Sequence, residues 1–163
     1  MNSPIRAVQY GCGKMSIHTM RFMIDHGVEI VGALDVDPDV VGTDIGELLG
    51  MDPRNVVVTD ASEAERLLSE TTPDVAVITT MSTITDVYQA MEVCAKHGVN
   101  AISTAEEAIF PRNSSPELVE KLDALAKEYG CTLTGSGYPD LYWGVLIDTL
   151  AGSLNSITKI EGI

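Results

Sequence analysis

Basic residues are scarce in this chain. Ten lysines and arginines stand against 24 acids in 163 residues, a net charge of −14 with a pI near 4.3. That balance argues against nucleic acid as a partner, because holding phosphates at physiological salt takes a basic patch. An anionic membrane surface is disfavoured on the same ground. Long apolar runs are missing too: no stretch approaches the ~18 residues of a membrane span, and the opening residues carry no signal-peptide core. Cysteine is sparse, with Cys12, Cys94 and Cys131 far apart and outside any Cys-x-x-Cys pattern. Neither a disulfide framework nor a zinc site is indicated, so no metal is expected and the expected location is cytoplasmic. What remains is an ordinary 45% of apolar residues, enough for one folded domain and too many for a disordered chain.

The apolar residues alternate between short β-branched runs and longer amphipathic stretches, the pattern of βαβ units and a parallel sheet. Strands are expected at Ile5–Tyr10, Glu29–Leu34, Asn55–Thr59, Val75–Ile78, Val99–Ser103 and Cys131–Thr134. Between them lie helical stretches. Met15–His26 closes at Gly27, and a stretch capped by Ser62 has Glu65 completing a capping box. A third contains Val87, Met91 and Cys94 at helical spacing, and a fourth opens with Ser115 and Pro116 and closes at Gly130. A last helix is expected over Leu141–Leu150, and Ile157–Ile163 alternates like a strand. Six strands with intervening helices give an α/β fold, a doubly wound parallel sheet of the Rossmann nucleotide-binding kind.

The strongest chemical signal is Gly11-Cys12-Gly13-Lys14-Met15-Ser16, placed after the first strand and opening the first helix. In that context Gly11 allows the tight turn and Gly13 lets a pyrophosphate approach the backbone. The helix N-terminus supplies N–H donors and the positive end of its dipole. The third position is Ser16, small enough for close helix–strand packing and carrying a hydroxyl that can reach a phosphate oxygen. Asp35 follows the second strand at an offset close to the ~20 residues at which an acid accepts from the adenine ribose. A carboxylate there repels a 2′-phosphate, which favours NAD over NADP. Asp37, before Pro38, reads as a turn residue.

Further candidates lie where later strands end, on the rim at which ligands sit in open α/β sheets. Thr79, Thr80 and Met81 suit ribose or nicotinamide contacts; the alternative is that this segment serves the next helix, capped by Ser82 or Thr83. Thr104, Glu106 and Glu107 leave the fifth strand, and the two carboxylates can meet a cationic substrate or move a proton. Their alternative is a solvated first helical turn, where acids favour the dipole. His18, His26 and His97 sit on or at the ends of expected helices and read as solvated or dipole-stabilising groups. Cys12 has no adjoining base and reads as a packing residue within the turn. Tyr138, Tyr142 and Trp143 concentrate the aromatics near the last helix, either lining an apolar pocket or covering a sheet edge.

These residues resemble the cofactor-binding half of the 2,4-diaminopentanoate dehydrogenases and native amine dehydrogenases, within the wider dihydrodipicolinate reductase-like group. The likeness rests on Gly11–Ser16, Asp35, Thr79-Thr80, Thr104-Ala105-Glu106-Glu107 and Gly135-Ser136-Gly137. Its most specific part is Val41-Gly42-Thr43-Asp44-Ile45-Gly46-Glu47-Leu48-Leu49-Gly50. The resemblance implies hydride transfer between a nicotinamide and an amine or imine carbon, with a rim glutamate, Glu106 or Glu107, at the amine. It implies an amine, or a carbonyl with ammonia, as substrate. It also implies a second α+β domain that completes the pocket and a homo-oligomer, so residues 1–152 are expected to form the cofactor domain and 153–163 to begin the next. Where diaminopentanoate dehydrogenases tend to carry Asn-Pro-Gly, this chain has Tyr138-Pro139-Asp140, which resembles amine dehydrogenases handling less polar amines or ketones. A cyclic-imine reductase and a non-catalytic dinucleotide-binding module are the alternatives.

Overall fold

In the computed structural model, residues 3–161 are described, with the side chains of 138–141 outside that description. Six strands form one parallel sheet: β1 (Arg6–Tyr10), β2 (Glu29–Asp35), β3 (Val58–Asp60), β4 (Val75–Ile78), β5 (Asn100–Ser103) and β6 (Leu133–Gly135). Their spatial order is β3-β2-β1-β4-β5-β6, so the chain reverses direction across the sheet between β1 and β4. In open parallel sheets that switch point is where ligands bind.

A parallel sheet must be covered on both faces, and alternation along β1 supplies each face. Val8 points to one side with Leu34, Ala76 and Ile78, where α3 (Ala64–Thr71) and α4 (Ile84–Lys96) pack through Leu68, Val87 and Met91. Helix α5 (Pro116–Tyr129) joins that layer through Leu122. Ala7 and Ala33 point to the other side, where α1 (Lys14–Asp25) sets Met20 and Met23, and the short α2 (Ile45–Leu49) sets Ile45 and Leu49. The last helix, α6 (Tyr138–Ala151), leaves Trp143, Val145 and Leu150 exposed. Among the described residues no helix is long and apolar enough to cross a membrane.

Several boundaries differ from the sequence reading, each for a local reason. The third strand starts at Val58, because Val56 and Val57 meet the loop around Asp44 rather than β2. Asp60, not Ser62, is the cap there: its carboxylate accepts from the Ser62 N–H at 2.8 Å and opens a 3₁₀ turn, Ala61–Glu63, ahead of α3. Helix α6 begins inside the expected glycine–proline turn, at Tyr138. Residues 157–161 form no strand, since no described residue pairs with them.

Candidate functional site

The carboxyl ends of β1, β2, β4 and β5 share one rim, with Tyr10 in register with both Leu34 and Ile78, and Ile78 with Ser103. The chain turns into α1 at Gly11, whose φ of +90° is left-handed. A Cβ on Gly11 would also lie 2.8 Å from Thr80 Cγ2 and 3.1 Å from the Thr79 backbone. Gly13 is different. Its backbone is extended, and a Cβ there would meet nothing within 4 Å. No described residue crowds that position, and the open space above it suits a ligand pressed against the main chain. The N-terminus of α1 has no side-chain cap and no acid in its first turn, so its N–H groups and dipole face outward through Gly13, Lys14 and Met15. Met15 is 60% exposed.

Ser16 is fully buried and its hydroxyl donates to Gly13 O at 2.6 Å. Its one hydrogen is committed to shaping the turn, so its part is close packing. Cys12 is buried with its thiol facing Leu34 O. Burial, and then the Asp35 charge, push the thiol pKa up to about 12, which keeps it protonated and unreactive.

Asp35 reaches back to that turn. Its Oδ2 accepts from the Cys12 N–H at 2.5 Å, and Oδ1 accepts from Val36 and Asp37 at 2.7 and 2.9 Å. A carboxylate offers about four acceptor positions, so one remains, on Oδ2 at the rim. Asp37 is the turn residue its position suggested, accepting from the Asp39 N–H at 3.0 Å.

Thr79 is buried and faces inward, accepting from Gln9 Nε2 at 2.8 Å and donating to Gly11 O at 2.9 Å. Thr80 and Met81 are exposed at the rim. The next helix is capped by Thr83, which accepts from the Asp86 N–H. Thr104 lines a cleft of about 440 Å³ on the α1 side, bounded by His18, Phe22, Val77, Ile102 and Ser136.

The two adjacent glutamates, indistinguishable in sequence, separate here. Both lie in a 3₁₀ turn, Glu106–Ile109. Glu107 Oε2 accepts from the Ile84 N–H at 2.6 Å, at the start of α4. Hydrogen bonding to Ser114 and then to the Ile84 backbone holds its pKa below the ordinary glutamate value. Glu106 has an Oε2 atom that is buried with no hydrogen-bond partner, the one such side-chain atom among the described residues. Gly135 and Gly137 put it there: a Cβ on Gly135 would lie 2.2 Å from Ala108 C, and one on Gly137 would lie 2.7 Å from Glu106 Cα. Neither position leaves room for a side chain between the 3₁₀ turn and the end of β6.

The family model described as "Dihydrodipicolinate reductase, N-terminus" matches residues 5–133. The chain belongs to that family. The chain is similar both to dehydrogenases and to a 4-hydroxy-tetrahydrodipicolinate reductase. It superposes on the amine dehydrogenase from Mycobacterium smegmatis with a TM-score of 0.87 at 45% identity, covering 96% of this chain and 46% of that one. It is 29% identical to the 2,4-diaminopentanoate dehydrogenase of Acetoanaerobium sticklandii, covering 82% of this chain and 38% of the relative. The WlbA dehydrogenase from Thermus thermophilus, solved with NAD and alpha-ketoglutarate, shares the fold at 17% identity with a TM-score of 0.69, covering 93% of this chain and 48% of that one. The chain thus spans less than half the length of these relatives.

The family motif around Asp44 has a structural explanation. Asp44 caps α2 by accepting from Gly46 at 2.7 Å and gathers the next loop by accepting from Arg54 and Val56. A Cβ on Gly46 would lie 2.3 Å from Asp52 O. One polar residue at the rim escaped the sequence reading altogether. Gln9 is fully buried in β1, and its signal was an amide inside a strand covered on both faces, where polar groups need partners.

Proposed function

We propose that this chain is the cofactor-binding half of an NAD-dependent oxidoreductase of the amine dehydrogenase type, moving hydride between a nicotinamide and an amine or imine carbon. The single observation that carries the reading is the buried, unpartnered Glu106 Oε2, on the turn that follows β5. A buried carboxylate oxygen without a donor is costly, and an ammonium or amine N–H is the donor that would satisfy it. The 45% identity with the mycobacterial amine dehydrogenase points the same way.

In this reading the Gly13, Lys14 and Met15 N–H groups at the start of α1 hold the pyrophosphate, and the free position on Asp35 Oδ2 takes one adenine ribose hydroxyl. The same carboxylate repels a 2′-phosphate, so NAD is preferred to NADP. Thr80, Met81 and Thr104 line the rim toward the nicotinamide half. When bound, the nicotinamide supplies the hydride acceptor or donor. Glu106 orients the substrate nitrogen and accepts its proton; Glu107, tied to α4, keeps the 3₁₀ turn in place.

Glu106→Gln and Glu107→Gln in the full-length enzyme test the division of roles. Reductive amination should fall at least a hundredfold in Glu106→Gln while NADH affinity stays within a factor of three. Glu107→Gln should keep most of its turnover at 25 °C. Full activity in Glu106→Gln would remove the basis of the amine assignment.

A further inference from the structure

The peptide joining Gly11 to Cys12 is held at both ends. Its carbonyl accepts two hydrogen bonds, from Gln9 Nε2 at 2.8 Å and from the Thr79 hydroxyl at 2.9 Å. Its N–H is bound by Asp35 Oδ2. The network beneath has a direction. Gln9 donates both to Gly11 O and to Thr79 Oγ1, so the Thr79 hydroxyl is left to pass its own hydrogen to the same carbonyl. Reversing the Gln9 amide would set Oε1 against Gly11 O, two acceptors face to face. Gln9 Oε1 in turn faces the Thr19 hydroxyl on α1 at 3.2 Å. All of this lies below the turn, with Gln9 fully buried and Thr79 at 8% exposure.

Gly11 is the residue at which this peptide could otherwise rotate, because glycine at φ +90° meets little steric resistance on either side. Rotation would turn the carbonyl oxygen to the side where the Cys12 N–H now points, against Asp35 Oδ2 at the rim, and turn the N–H inward. There its negative dipole end would oppose a phosphate and cancel part of the positive end of α1. We propose that Gln9 and Thr79 are positioning residues for the dinucleotide: they hold the Gly11 carbonyl inward, so that its negative end does not oppose the phosphates when the cofactor arrives. The inference rests on the dinucleotide reading above and adds to it two buried side chains that touch no ligand. Thr79 accordingly works beneath the phosphate turn rather than at the nicotinamide.

The test compares NADH and adenosine binding, by calorimetry and NMR titration, with thermal melts on each protein. Gln9→Met and Thr79→Val should each weaken NADH at least tenfold while adenosine, which lacks phosphate, stays within twofold. Thr79→Ser, which keeps the hydroxyl, should restore NADH binding to within threefold of the unaltered protein. The double variant should lose little more than the weaker single one, because both side chains act on one oxygen. Should Gln9→Met fail to fold, Thr79→Val against Thr79→Ser decides alone. Unchanged NADH affinity in both Gln9→Met and Thr79→Val, or equal losses for NADH and adenosine, overturns the inference. No NADH binding by the unaltered protein would overturn the dinucleotide reading itself, and this inference with it.

Discussion

Glu107 commits an oxygen to the Ile84 N–H at the first turn of α4, and its lowered pKa follows from hydrogen bonds that exist only in the folded chain. Glu107→Ala is therefore expected to destabilise by about 1 kcal/mol, the usual cost of a lost helix cap, measured by urea denaturation at pH 7. Glu106→Gln should leave the midpoint unchanged or raise it, because it removes the charge from a carboxylate whose buried oxygen has no donor. The sequence showed two adjacent acids and nothing to separate them; the bond from Ile84 to Glu107 and the packing of Gly137 on Glu106 do so. Cys12 and Cys94 both have thiols pushed up to about 12, chiefly by burial. A thiol reagent at pH 8 should leave both unmodified in the folded protein and label both in urea.

At the scale of elements, the strands and long helices were legible because each carries a period. Val75–Ile78 is a continuous apolar run, buried on one face and half-buried on the other, and α5 is bracketed by Pro116 and by Gly130 at φ +70°. The five residues of α2 and the four of the 3₁₀ turn at Glu106 are too short to show one, and tertiary contacts alone hold them. Asp44 is the clearest case. The Arg54 N–H first, with those of Gly46 and Val56, keeps its pKa below the ordinary aspartate range. A lowered folded pKa means that the stabilisation is complete above the ordinary value and is lost as pH falls through the lowered one. Asp44→Asn should therefore be less stable than the unaltered protein at pH 7, with the difference shrinking below about pH 4. Denaturant midpoints across that range are the check. Gly135→Ala forces a methyl into the Ala108 backbone and should cost about 3 kcal/mol, at the upper end for overpacking, read from the same denaturation curves.

Over the whole molecule, the −14 charge acts on stability as well as on partner choice. Like charges repel in the compact state, and salt screens them within a Debye length of about 8 Å at physiological ionic strength. Raising sodium chloride from 20 to about 200 mM is expected to raise the melting temperature. The doubly wound parallel sheet was legible from the strand–helix rhythm, whereas the strand order with its switch point between β1 and β4 came from the structure. The pinning of the phosphate turn was not, because Gln9, Thr79 and Asp35 are brought together only when the sheet assembles. A calorimetric titration of NADH into the unaltered protein and into Gly13→Val shows whether this rim binds a dinucleotide through the open backbone at Gly13. Saturable binding at one site is expected in the former and none in the latter, with Gly13→Val still folded because a Cβ at Gly13 meets no protein atom within 4 Å. Equal NADH affinity in the two proteins would exclude binding through the Gly13 backbone.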